Sequence, residues 1–327
     1  MIDAFSDEQI EFAELAAKSF AGVAADAEPA GPRAELARIG LPLLAVPEEL
    51  GGGGMTEADV VLIIEEAGHA DVPVPIAETV GVVAPMVARH GSAEQRERWL
   101  PAFAGGDSLG LAVCPSGGIG TRRGADLALV EHEGRMHLLE IGALGAEAAR
   151  MRSGEMVAAL AGSALDDPEA SVAEFRARSA WVTAALLNGV GRRLLELSLE
   201  QARTREQFGV PIGSFQAVKH MLAEMAAAVE SARPTAWSAA RALAAGAPGS
   251  GLAAAVAKAV ASQAGALVND HALQVHGGIG FTMEHPLHRW LLYGHELQSR
   301  WGSAAEHQVT LGRSALGVDS LVETFIP

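Results

Sequence analysis

Cysteine is nearly absent: Cys114 is the single thiol in 327 residues. One thiol excludes an intramolecular disulfide framework and a cysteine-rich zinc site. It fits a reducing, cytoplasmic compartment. Lysine is scarce too, at Lys18, Lys219 and Lys258 only, so arginine supplies most of the positive charge. Lys plus Arg number 24 against 40 Asp plus Glu, which leaves a net charge of −16. No Lys/Arg-rich block occurs. Nucleic-acid binding through a basic face is therefore not expected, nor is a polybasic membrane anchor. The first residues, Met1 to Glu8, carry neither a basic nor an apolar segment of the secretory kind. The uncharged apolar run Ser179 to Gly191 has 13 residues and is too short to span a bilayer. Membrane insertion is not expected.

What is present is a hydrophobic fraction of 49% with 20% charged residues, a composition that can bury a core. The N-terminal hundred residues read as helices. Ser6 can cap a first helix, with Asp7 and Glu8 in its first turn. A short helix from about Arg33 to Ile39 would stop at Gly40. A glycine-rich turn, Pro47 to Gly54, precedes helices at Thr56–Ala70 and Glu78–His90. Ser92 to Gln95 reads as another helix start. The middle differs: Leu127–His132 and Arg135–Ile141 read as two strands joined at Glu133-Gly134. Residues 145–173 are Ala-rich and admit no assignment. Beyond them, Ala177–Arg203, Ser214–Ala245, Leu252–His276 and Leu287–Gly312 read as four long helices, the second containing Pro234. Long Ala-rich helices of this kind pack as a bundle. The expected fold is mainly α: an N-terminal helical domain (1–108), a reduced middle β-domain (109–173) and a C-terminal four-helix bundle (174–327).

Five segments in order resemble the acyl-CoA dehydrogenase family. They are Phe5-Ser6-Asp7-Glu8-Gln9; Ile39-Gly40-Leu41 with Val46 to Gly52; Gly91 to Gln95 with Trp99-Leu100-Pro101; Arg205 to Ile212 with Phe215-Gln216; and Gln274 to Gly280. The resemblance spans nearly the whole chain and is weakest in the middle. It implies FAD as cofactor, an acyl-CoA thioester as substrate and an electron-transfer acceptor. The implied reaction is α,β-dehydrogenation, in which a carboxylate removes the α proton and the flavin takes the β hydride.

Residues on the matching positions are the candidate cofactor contacts. Arg205 offers a planar guanidinium suited to a pyrophosphate. Phe208 can lie beside a nucleotide, and Gln216 and Gln274 can hydrogen-bond adenosine or phosphate groups. Gly277, Gly278 and Gly280 allow close backbone approach. Taken singly, an arginine at a helix end or a glycine pair after a helix is ordinary; the set is what points to flavin. His285 and His288 have the spacing of a metal pair, but nothing supplies further ligands, and no metal is expected.

The catalytic part of the pattern is missing. The family's base, typically in a Glu-Gly-Thr turn after the second flavin motif, falls on Trp301, followed by Gly302 and Ser303. Its other known position, in the long helix before the arginine turn, falls on Ser179. Glu174 and Glu306 are the nearest fallback carboxylates. The strand motif that supports the flavin ring is reduced to Val113-Cys114-Pro115-Ser116-Gly117-Gly118. An Arg-Asp pair is replaced by Leu292-Tyr293, and a glutamine after the Glu-Gly-Thr turn by Ala305. In this family each flavin site is shared between neighbouring subunits, one supplying the arginine turn and the Gln-Gly-Gly motif to the other. The sequence therefore resembles the short, degenerate chain of an α2β2 steroid-CoA-type dehydrogenase, which completes the site of a full-length partner and has no base of its own. Two alternatives stay open: a self-sufficient homo-oligomeric dehydrogenase with a displaced glutamate, and a non-catalytic binding or scaffold protein that reuses the fold.

Overall fold

A computed structural model describes residues 5–23, 28–114, 124–141, 151–166 and 168–317, without the side chains of 168–170. Pro115 to Gly118 of the reduced strand motif, and 142–150 and 167 of the unassigned stretch, lie outside the described residues.

The N-terminal helices form where their caps stand. Helix α1 (Asp7–Ala21) begins at Ser6, whose hydroxyl accepts from the Gln9 amide while Gln9 reaches back to the Ser6 amide. Helix α2 (Ala30–Arg38) ends before Gly40, which takes a left-handed conformation. Helix α3 (Glu57–Ala70) is capped by Thr56 and Asp59. The next helix, α4, is composite: Ile76–Glu78 and Ala84–His90 flank a π-helical turn at Thr79–Val83. Helix α5 (Ala93–Gly105) starts at a Ser92–Gln95 capping box.

Strands β1 (Gly110–Val113), β2 (Leu127–His132), β3 (Arg135–Glu140) and β4 (Gly162–Ala164) make one sheet in that order. The β1–β2 pair is parallel and the others antiparallel. Glu133 and Gly134 both have positive φ, as a two-residue hairpin turn requires. The sheet is buried on both sides. Leu127, Leu129, Met136 and Leu138 join the main core, and their alternates Ala128, Val130 and Leu139 pack with Met156 of helix α6 (Ser153–Ala159).

Helix α7 (Pro168–Thr204) has 37 residues, about 55 Å at 1.5 Å per residue. A hairpin, β5 (Glu206–Gln207) and β6 (Val210–Pro211), follows it, and then α8 (Gln216–Ala244), continuous through Pro234. Helix α9 (Ser250–His276) is long and apolar enough to cross a membrane. Here it is the inner helix of the bundle, with Ala254, Ala257, Ala261, Val268 and Ala272 buried. The single helix expected over Leu287–Gly312 is in fact two, α10 (Leu287–Ser299) and α11 (Ala304–Leu316).

Polar ties join these layers. Buried Arg178 of α7 pairs with Glu57 of α3 and donates to the Gly81 carbonyl in the π-turn at 2.9 Å. The Thr79 hydroxyl of that turn donates to the Gly110 carbonyl at 2.9 Å and accepts from the Gly110 amide at 3.1 Å, which pins the edge of β1. Fully buried Glu65 of α3 accepts from Arg233 at 3.0 Å and from Trp237 at 2.9 Å, both on α8. Burial raises the Glu65 carboxyl's pKa, against the pull of Arg233 and Trp237.

The break between α10 and α11 has a visible cause. Trp301 and Gly302 have φ of +59° and +94°, outside the helical region. Lys258, fully buried in α9, holds this turn: its ammonium donates to the Gln298 carbonyl at 3.1 Å, the Gly302 carbonyl at 2.9 Å and the Ser262 hydroxyl at 2.8 Å. His307 donates to the Trp301 carbonyl at 2.7 Å. A four-residue gap in helical periodicity leaves no mark in a hydrophobic pattern, which is why one helix was expected.

Two stability measurements follow. Burial lowers the Lys258 ammonium to about 7, so between about pH 7 and the ordinary lysine value of 10.5 the unfolded chain binds this proton and the folded chain does not. Stability from this group therefore rises with pH across that window. The unfolding free energy of wild type relative to Lys258→Met should climb from pH 7 to 9.5; a flat difference would contradict the assignment. At Gly189 of α7, a Cβ would lie 1.9 Å from the Glu65 carbonyl oxygen and 2.6 Å from the His69 nitrogen. Gly189→Ala should cost about 1–3 kcal/mol in denaturant unfolding by forcing α7 from α3. Gly312→Ala, with open space around it in α11, should instead gain about 1 kcal/mol.

Candidate functional site

The two positions that would carry a catalytic glutamate are both buried. Ser179 sits in α7 with its hydroxyl oxygen unpartnered among the described residues, while its carbonyl accepts from Thr183 at 2.7 Å. Trp301 is 8% exposed and stands edge-on to Phe175, ring centroids 5.0 Å apart. Its neighbour Arg300, also 8% exposed, reaches Glu78 of α4 at 3.2 Å and the Ala112 carbonyl of β1 at 3.2 Å. Thus α4, β1, α7, α9 and the α10–α11 turn converge on one place, and arginine, tryptophan and lysine side chains fill it.

The fallback carboxylates are engaged in structural contacts. Glu174 accepts from His90 at 2.8 Å, Arg89 at 2.8 Å and Arg178 at 2.6 Å. Burial pushes its pKa up, but the His90 hydrogen bond and the two arginines outweigh it and hold the carboxyl at about 2. So weak a base is poorly matched to removing a carbon-bound proton near neutrality. Glu306 accepts from the Ser303 amide at 2.7 Å and its hydroxyl at 2.8 Å in the cap of α11. The same bonds lower its pKa.

The nucleotide-type residues have a different setting. Arg205 and Gln216 are exposed at the junction of α7, the β5–β6 hairpin and α8, and Gln274 and Gly278 are exposed at the far end of α9. Among the described residues the guanidinium of Arg205 and the amides of Gln216 and Gln274 have no partner. Phe208 stands at the hairpin tip, 92% exposed, with φ of +54°, its ring 6.1 Å from that of Phe215. Gly277 has φ of +62° and ψ of −139°, a conformation open to glycine alone. A Cβ at Gly277 or Gly278 would meet open space. Gly280 is different: a Cβ there would press on His276 and Leu273 at 3.1 Å, so this glycine serves helix packing.

Chain direction brings these two groups to one end of the bundle. Helices α8 and α9 are antiparallel neighbours, and Glu224 of α8 meets His271 of α9 at 2.7 Å. The start of α8 therefore lies beside the end of α9. The result is an exposed surface with an unpaired guanidinium, two free amides and a glycine turn without side chains. That donor set suits a phosphate-bearing nucleotide.

Sequence reasoning missed Arg300 and Lys258. Lys258 carried a signal, being the lone charge in the Ala-rich run from Gly251 to Asn269. Arg300 carried none, because only the turn beside it aims it at Glu78 and β1.

Comparisons with known proteins show the family. The acyl-CoA dehydrogenase N-terminal domain matches residues 2–107, and the acyl-CoA dehydrogenase C-terminal domain matches residues 170–293. The acyl-CoA dehydrogenase IpdE2 of Mycobacterium tuberculosis is 31% identical over 79% of this chain and 78% of its own length. The acyl-CoA dehydrogenase FadE34 of the same organism is 34% identical over 88% of this chain, which spans 43% of FadE34. A solved chain of the Tcur3481-Tcur3483 steroid ACAD G363A variant is 26% identical, covers 96% of this chain and 99% of its own, and superposes with a TM-score of 0.78. With both terminal domains matched and a relative such as IpdE2 covered over most of its length, the chain belongs to the acyl-CoA dehydrogenase family.

Proposed function

We propose that this chain is the supporting subunit of a heteromeric, FAD-dependent acyl-CoA dehydrogenase that desaturates a CoA thioester. In this reading it lends contacts for the adenosine and pyrophosphate end of FAD to a full-length partner chain and supplies no base itself. The carrying observation is that Trp301, which motif spacing puts where the family has its glutamate, is buried against Phe175 and next to the buried Arg300. A buried indole takes no proton. The likeness to a steroid-type heteromer, the Tcur3481-Tcur3483 pair, supports a CoA thioester of a steroid side chain and an α2β2 assembly.

Distance supports the same division. Ser179 and Arg205 are 26 positions apart on or just beyond one continuous helix, about 39 Å at 1.5 Å per residue. One dinucleotide does not reach across that span, so the arginine turn serves a flavin held by another chain. Bound FAD would supply the acceptor for the β hydride of the thioester. This chain's part is to neutralise phosphate charge at Arg205, hydrogen-bond through Gln216 and Gln274, let the backbone at Gly277 and Gly278 come close, and cover the nucleotide with Phe208. Exposed apolar side chains around these residues, Phe281 and Met283 among them, favour burial against a partner.

The test is a flavin absorbance spectrum of the chain purified alone and then with a full-length dehydrogenase partner. Colourless alone and yellow together, at one FAD per pair of unlike chains, is expected. One FAD per chain in the isolated protein would overturn the proposal. In the complex, Arg205→Ala should cut retained flavin at least tenfold with assembly unchanged by gel filtration; full retention would count against a shared site.

A further inference from the structure

Beyond the residues of the family motifs, α8 and α9 present two facing stripes. On α8 the stripe is Gln216, His220 and Glu224, spaced i, i+4, i+8. On α9 and its end it is His271, Gln274 and Gly278, spaced i, i+3, i+7. The Glu224–His271 contact at 2.7 Å sets the antiparallel register between them. One turn outward, about 6 Å along the axis, puts His220 level with Gln274. A second turn puts Gln216 level with Gly278. Val275 and Ala272 point the other way into the core, so both stripes face solvent. His220 is exposed and, among the described residues, its ring nitrogens have no partner.

The groove also has polarity. Its inner end is closed by the Glu224 carboxylate, and its outer end leads past Gln216 to the unpaired guanidinium of Arg205, whose carbonyl accepts from Ile212 at 2.8 Å at the base of the hairpin. A phosphate is repelled from the inner end and held at the outer one. A purine, uncharged and planar, fits the inner end.

We infer that His220 is a further nucleotide-binding residue, its imidazole stacking on the adenine ring between Gln216 and Gln274 while Arg205 holds the pyrophosphate. This rests on the shared-site reading above. It adds a direction to the bound dinucleotide: adenine toward Glu224, phosphates toward the hairpin. His220 is a surface side chain, so its replacement leaves the fold intact, which a thermal melt verifies.

The experiment uses the assembled complex stripped of flavin and titrated separately with FAD, ADP and inorganic pyrophosphate. His220→Ala should weaken FAD and ADP about tenfold, as loss of one aromatic stack does, and leave pyrophosphate unchanged. His220→Phe should restore FAD affinity to within about threefold, since the planar ring is what counts. Arg205→Ala should weaken all three ligands. If His220→Ala leaves FAD and ADP unchanged while Arg205→Ala loses both, the adenine contact is wrong and the shared site stands. If neither variant changes any ligand, the shared-site reading itself fails. If His220→Ala weakens pyrophosphate as much as ADP, the groove's direction is reversed and the inference is overturned.

Discussion

The buried guanidinium of Arg178 is the constraint on which the remaining arrangement hangs. It lies in α7, which packs against α3, the π-turn, β3, α8 and α9, and it ties that helix to Glu57 of α3, to Glu174 one turn back and to the Gly81 carbonyl of the π-turn. A buried charge with partners on three elements tolerates little displacement, because any lost partner leaves charge in a low-dielectric interior. The π-turn matters for the same reason. Its Gly81 carbonyl lies four residues before Pro85, which has no N–H to offer it, and accepts from Arg178 instead, while Thr79 bonds β1. The sheet is thus registered to the long helix through two polar contacts and an apolar face.

Once α7 is fixed, the two functional regions separate. Near one end, Phe175 and Ser179 lie under the α10–α11 turn, where Arg300 and Trp301 complete a packed interior. At the other, the hairpin and Arg205 face solvent. The interior end obeys the rules of a core: the polar groups of Arg178, Arg300 and Lys258 are satisfied and large side chains interlock. The outer end departs from them, with an aromatic side chain held out at positive φ and donors left unpaired. Such exposure is what the proposed site, shared with a second chain, would use.

Much of the fold was legible before any coordinates. Ser6 and Ser92 marked the starts of α1 and α5, and Glu133-Gly134 marked the strand hairpin, because these features act within a few residues. The Arg205 and Gln274 motifs were legible for the same reason. The split of the last helix was not, because Trp301 and Gly302 leave the helical region only where Lys258, a residue of another helix, accepts their turn. The roles of Glu174 and Glu306 were equally hidden. Both read as free carboxylates in the chain, and both are bound, one by arginines from α4 and α7 and one by its own cap.

By itself the sequence determined the helical periodicities, the caps, the hairpin, the absence of glutamate at Ser179 and Trp301, and the presence of the nucleotide-type residues. These depend on residue identity and short-range spacing, which a chain carries unfolded. Only the tertiary structure decided that Trp301 is buried rather than exposed, that Arg300 and Lys258 lie beside its turn, and that the start of α8 and the end of α9 lie side by side. Those outcomes depend on contacts between residues 44 to 222 positions apart, whose register is set when α3, α7, α8 and α9 pack and not before.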